Sequence, residues 1–197
     1  MKTYIKNQVK KSYETKQAIY KDETLLDNIV EVAQKCVTLY RCDKKTILAG
    51  NGGSAADAQH IAAELVGRYG FDRPSIPSLA LTTDTSNLTA IGNDYGYDKV
   101  FSRQIEGMGQ EGDLFFGIST SGNSQNLIEA FKSAKEKNIF TVALVGKDGG
   151  KMAQIADIAL IVPSNSTPRI QESHILIGHI ICDIIEKELF SDGISLS

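Results

Sequence analysis

His60 and Glu64 stand four residues apart, a spacing that on a helix puts both side chains on one face. Imidazole and carboxylate together can act as an acid–base pair or as metal ligands. The plainer alternative is a surface i, i+4 pair. Only three histidines occur in 197 residues, and the other two, His174 and His179, lie in one C-terminal apolar run. A histidine in such a run is more often a core residue than a ligand. Gln171 precedes His179 by eight residues, about 12 Å along a helix axis. Two side chains that far apart on one helix hardly reach one ion. If both serve one site, one of them should come from a neighbouring subunit.

Two loops carry a second kind of chemistry. Gly50-Asn51-Gly52-Gly53-Ser54-Ala55 follows the short apolar run Thr46-Ile47-Leu48-Ala49. Its glycines let a backbone approach a ligand, and the helix that follows offers free N–H groups. Ser119-Thr120-Ser121-Gly122-Asn123-Ser124 follows the run Leu114–Ile118. Four hydroxyls before a helix make a phosphate cradle that needs no Lys or Arg. Ordinary turn and N-cap chemistry competes with this reading. For the first loop, Gly50-x-Gly52-x-x-Ala55 also fits a dinucleotide fingerprint, with Asp84 as a ribose partner. Asp84 comes late for that role, and the second hydroxyl loop would then be unexplained.

The elements that must hold these groups can be read from periodicity. Residues 3–20 form a Lys-rich amphipathic helix. Leu25, Ile29, Val32, Cys36 and Tyr40 make one apolar stripe on a second. Short apolar strands at 46–49, 78–81, 114–118, 139–145 and 158–162 then alternate with helices at 55–69, 126–137 and 171–189. Continuous apolar strands between helices imply a parallel sheet covered on both faces. The expected class is α/β, a three-layer αβα sandwich with a five-stranded parallel sheet behind an N-terminal helical hairpin. The length suits one domain over 1–197, with helices in 1–43 and the α/β core in 44–190. The last helix is apolar nearly all round, which points to burial against another subunit.

Composition excludes several classes. Hydrophobic residues make up 42% and charged residues 23%, as in ordinary globular chains. A net charge of −3 argues against nucleic-acid binding by bulk charge. Three scattered cysteines suit free thiols in a reducing cytosol better than a disulfide framework or a CxxC zinc site. The N-terminus has no apolar leader and no run reaches 18 apolar residues, so cytoplasmic placement without membrane contact is expected.

Six blocks together carry a resemblance. They are Gly50–Ser54, His60-x-x-x-Glu64, Gly92-Asn93-Asp94-x-Gly96, Gly117–Ser124, Gly146–Lys151 and Arg169-Ile170-Gln171-Glu172. In order along nearly the whole chain, they resemble the sedoheptulose 7-phosphate isomerases, the bacterial phosphoheptose isomerases of the sugar isomerase (SIS) domain superfamily. The resemblance implies a flavodoxin-like fold and a homotetramer with active sites between subunits. It also implies conversion of D-sedoheptulose 7-phosphate to D-glycero-D-manno-heptose 7-phosphate, the first step toward nucleotide-activated heptoses of lipopolysaccharide, capsule or S-layer glycans. It implies zinc at His60, Glu64, Gln171 and His179. Substrate contacts are implied at Asn51, Gly52, Gly53, Asn93, Asp94, Ser119, Thr120, Ser121, Ser124 and Gln171, and Ser54, Glu64 and Arg68 are counted with that set. Glu64 matches the base and His179 the acid. One departure is Ser166-Thr167-Pro168, where relatives often have a longer segment with an Asp. The competing reading is a non-enzymatic SIS protein that binds the bacterial replication initiator and shares the stretch Ser54–His60. Glu64 and Gly53 favour the enzyme over it.

Overall fold

The computed structural model describes residues 1–191. Two helices, α1 (Lys2–Tyr20) and α2 (Glu23–Arg41), open the chain, and the Asp22 carboxylate caps α2 by accepting from the Leu25 N–H at 3.0 Å. There follow β1 (Thr46–Gly50), α3 (Gly53–Val66), β2 (Ser78–Ala80), α4 (Thr85–Tyr95), a 3-10 turn at Tyr97–Lys99, and α5 (Ser102–Met108). The chain continues through β3 (Leu114–Ser119), α6 (Gln125–Glu136), β4 (Phe140–Gly146), α7 (Gly150–Ile155), β5 (Ile158–Val162) and α8 (Thr167–Phe190).

All strand pairings are parallel, and the strand order is β2-β1-β3-β4-β5. The alternation of side chains along each strand divides the core between the two faces. Leu48, Phe116, Leu144 and Leu160 face the side covered by α2, α3 and α8. Ile47, Ala49, Phe115, Ala143 and Val145 face the side covered by α5 and α6. The expected sandwich and helical pair are therefore present.

Three helices, α4, α5 and α7, lie in segments the periodicity did not mark. None of the residues of α4 is buried, so no apolar stripe announces it. The last helix is less enclosed than its composition suggests. Ile180 is 39% exposed and Ile184 half-buried, leaving one side of α8 uncovered in the single chain.

The strand order fixes where a ligand can sit. The chain moves from β1 to β2 on one side, then crosses to β3 on the other. The carboxyl ends of β1 and β3 thus flank the topological switch point, the usual ligand crevice of such sheets. Gly50 is register partner to Ile118, so the loops that follow these strands start side by side.

Candidate active site

The loop after β3 turns its hydroxyls inward. Ser119 Oγ lies 3.2 Å from Ser124 Oγ and 3.5 Å from Ser121 Oγ, and it accepts from the Gly122 N–H at 3.2 Å. Ser124 occupies the N-cap position of α6 without making a side-chain cap bond. Its hydroxyl is left to the loop, and simple capping does not account for this cluster. Thr120 sits between these serines, half-buried. Gly122 takes the left-handed conformation at φ +64°, and a side chain there would run into the Gly149 carbonyl. The Gly146–Lys151 block braces the loop from behind. The Lys151 N–H donates to Asn123 Oδ1 at 3.1 Å and the Met152 N–H to the Gly122 carbonyl at 2.9 Å.

The β1 loop is locked to this one by an amide pair. Asn51 Nδ2 donates to Asn126 Oδ1, and Asn126 Nδ2 donates back to Asn51 Oδ1, both at 2.9 Å. The Tyr97 hydroxyl adds a third bond to Asn51 Oδ1 at 3.1 Å. Gly52 is the N-cap of α3 at φ +55°, Ser54 is buried just inside the helix, and the Gln171 amide occupies the space that a side chain on Gly53 would fill.

Two turns along α3, His60 and Glu64 meet His179 of α8. His60 Nε2 is 2.9 Å from Glu64 Oε1 and 3.3 Å from His179 Nε2, and His179 Nε2 is 4.0 Å from Glu64 Oε1. Tetrahedral ligands held about 2.0–2.2 Å from zinc stand about 3.3–3.6 Å apart, and the 2.9, 3.3 and 4.0 Å edges of this triangle of two nitrogens and one oxygen bracket that spacing. Two histidines and one carboxylate are also the donor set of an open catalytic site. His60 is exposed and the other two are half-buried, so the cluster opens outward.

Two groups that sequence reasoning missed stand against this cluster. Asp57 lies one turn before His60, and burial pushes its carboxyl up to about 6 against the pull of His60. Its Oδ2 is buried with no hydrogen-bond partner. The spacing Asp57-x-x-His60 was its only signal. The second is a clamp. The Glu186 carboxylate of α8 accepts from Arg73 Nε at 2.8 Å and from the backbone N–H groups of Tyr69, Gly70 and Phe71 at 2.8, 2.5 and 3.2 Å. Arg73 in turn donates to the carbonyls of Glu64 and Leu65, both at 2.8 Å, closing the C-terminal end of α3. Burial alone would raise the Glu186 pKa, but the three N–H groups and the guanidinium outweigh it and hold the group below its ordinary value. The Tyr69 ring lies 5.7 Å from the His179 ring.

Not every expected residue joins these two centres. Gln171 stands by Gly53, eight residues from His179, and is not part of the triangle in the same chain. Asn93 and Asp94 lie exposed on α4, bonded to each other at 2.8 Å, and Arg68 is exposed after α3. Asp84 caps α4 by accepting from the Asn87 N–H at 2.9 Å, which gives it a structural task in place of the ribose role. The Ser166-Thr167-Pro168 segment forms the start of α8.

The SIS domain family model matches residues 10–146. The phosphoheptose isomerase of Sulfurimonas denitrificans is 78% identical over 195 residues, covering 99% of this chain and all of that protein. The chain belongs to the phosphoheptose isomerase family. Its relative from Aneurinibacillus thermoaerophilus is 60% identical, with 96% of each chain covered. Among solved structures, phosphoheptose isomerase GmhA from Neisseria gonorrhoeae is 46% identical at a TM-score of 0.89 and covers 94% of this chain and 98% of its own. That from Francisella tularensis is 34% identical at a TM-score of 0.90, with 94% and 97% covered. For a phosphoheptose isomerase family member the switch-point loops and the His–Glu–His triangle are the parts to explain. These relatives lend no support to the initiator-binding alternative.

Proposed function

We propose that this chain interconverts D-sedoheptulose 7-phosphate and D-glycero-D-manno-heptose 7-phosphate. The observation that carries this is the meeting of His60, Glu64 and His179 on a fold whose switch point also presents a serine loop. Aldose–ketose isomerisation moves a proton between C1 and C2 through a cis-enediol(ate). Glu64 takes the carbon-bound proton and returns it to the neighbouring carbon. His179 gives and recovers a proton at the oxygens. Ser119, Thr120, Ser121 and Ser124 hold the phosphate, with Asn51, Gly52, Gly53, Ser54, Arg68, Asn93, Asp94 and Gln171 completing the sugar contacts. This anchoring fixes the reacting carbons. His60, Glu64 and His179 would hold zinc, with Gln171 as a fourth ligand from a neighbouring copy, and Glu64 would serve as base only while released from the ion, because a bound cation lowers its proton affinity. When bound, zinc supplies a Lewis acid that stabilises the enediolate charge.

A homotetramer with sites between subunits follows from the same reading. Support comes from α1, where Tyr4, Ile5, Val9, Tyr13 and Tyr20 are all more than half exposed. It also comes from a groove of about 480 Å³ between α2 and α8, where Val30, Val37 and Ile184 are rimmed by Gln34, Thr38, Arg41 and Glu188. No helix among the described residues is long and apolar enough to cross a membrane. We place the enzyme in the cytoplasm, where its product would enter nucleotide-activated heptose synthesis for lipopolysaccharide or related glycans.

The direct test is turnover of sedoheptulose 7-phosphate by the purified oligomer, followed by detection of the aldose. No aldose from a folded, metal-loaded preparation rejects the proposal. Near-normal turnover in Glu64→Gln removes Glu64 as the base. Full activity after exhaustive chelation, with no metal by elemental analysis, removes zinc.

A further inference from the structure

We infer that Gly178 is a positioning residue that sets the separation of α3 and α8, and through it the spacing of His60 and His179. This rests on the metal reading of the His60–Glu64–His179 triangle given above. Gly178 lies in the interior of α8, where a glycine weakens a helix relative to alanine. Something must offset that loss. Gly178 is buried, and a Cβ built on it would lie 2.6 Å from Ile61 Cδ1 and 2.8 Å from Ile61 Cγ1. Both separations are below any real carbon–carbon contact, so the helices can meet here only because the side chain is absent.

The position of this contact gives it its consequence. Ile61 follows His60 in α3, and Gly178 precedes His179 in α8. This contact is thus one residue from each imidazole, whose Nε2 atoms stand 3.3 Å apart. Ile61 is 5% exposed, and its Cδ1 has little space to swing away, because it lines, with Leu65, Ile181 and Ile185, a void of only about 10 Å³. That is at the lower limit of what a single water requires. A methyl group at position 178 must therefore push the two helices apart, and the imidazoles with them. Elsewhere the same helices are tied at the Glu186–Arg73 clamp and at Gln171 against Gly53. The spreading is then concentrated between these ties, at the triangle.

The experiment compares wild type, Gly178→Ala, Ile61→Ala and the double variant. Zinc is titrated into the apo-protein in competition with a chromogenic chelator, and kcat and KM for sedoheptulose 7-phosphate are measured on the loaded enzyme. Losing a group that orients a metal ligand costs about 10–100-fold in metal affinity, and a similar scale is expected for ligands moved apart here. Gly178→Ala is expected to lose affinity in that range and to lose kcat with KM little changed. Ile61→Ala stays within threefold of wild type, and the double variant returns to the Ile61→Ala level, because the clashing atoms are gone. A purely structural glycine would lower the stability of Gly178→Ala while leaving the zinc affinity and kcat of the folded protein unchanged. Unchanged zinc affinity and kcat in Gly178→Ala overturns the inference, as does a double variant no better than Gly178→Ala. If wild type binds no zinc, the metal reading fails by itself, and the inference is decided by whether kcat falls and is restored. If Gly178→Ala does not fold, a folded double variant with restored zinc binding supports the inference, and an unfolded one overturns it.

Discussion

Glu186→Ala is expected to be among the most damaging single changes outside the reacting groups. Both partners of the Arg73–Glu186 pair are about 1% exposed, so the carboxylate is fully withdrawn from water and relies on four donors. Truncation leaves a buried guanidinium without its counter-charge and three backbone N–H groups without an acceptor. Breaking a buried pair from one side costs about 3–5 kcal/mol. A domain is typically stable by only about 5–15 kcal/mol, so about a fifth of the total or more is at stake. The assay is urea unfolding at fixed protein concentration, since association adds to apparent stability. Glu186→Gln keeps the shape and one acceptor oxygen and should fall between wild type and Glu186→Ala. The pH dependence has a definite sign. A carboxylate held below its ordinary pKa contributes stability above the ordinary glutamate range, and that contribution is lost as pH falls through the folded value. A loss of under 1 kcal/mol at neutral pH in Glu186→Ala, with an unchanged dependence on urea, would refute the view that this carboxylate ties α3 to α8.

Other expectations concern the loops, the core and the thiols. Asn126→Leu removes the reciprocal bond to Asn51, and steady-state kinetics should show KM raised about tenfold, the scale of one buried amide left unpaired, with a smaller change in kcat. Burial holds His174 down to about 4, against an opposing pull from the Val145 backbone. Stability should therefore be complete above about pH 6.5 and fall by about 3 kcal/mol as pH drops to 4, a slope that His174→Leu should flatten in urea titrations at the two pH values. Burial pushes the Cys36 thiol well up and the Cys182 thiol to about 12, while Cys42 is exposed. A thiol reagent should thus label one cysteine rapidly in the native chain and three after denaturation.

Much of this architecture was legible because it is local. The runs 46–49 and 114–118 are apolar at every position but Thr46 and Gly117, and the structure buries all of β1 and β3. The loops after them declared themselves through glycine and hydroxyl content. His60 and Glu64 followed from helical spacing, whereas His179 joined them only through the family resemblance, since nothing in its own neighbourhood pairs it with α3. Helix α4 left little trace because it buries no residue fully, Leu88 and Ile91 being only half-buried against the core. The clamp was beyond reach for another reason. Arg73 and Glu186 are separated by 113 residues, and an isolated Arg in a loop and a Glu on a helix read as ordinary surface charges. Asn126 was hidden similarly, as its partner lies 75 residues earlier.

Helix α8 carries Gln171 at the β1 loop, Gly178 and His179 at the triangle, and Glu186 at the clamp, all on one rigid rod. Inserting or deleting a single residue between 171 and 186 would turn everything beyond it by about 100° and slide it by about 1.5 Å. Wherever the change fell, at least one of the three alignments would be lost. Length variation should therefore be tolerated in the turn before Ser166 and after Phe190, and be lethal to activity between them. In this fold the last helix works as a template whose register, more than its composition, is what inheritance has to protect.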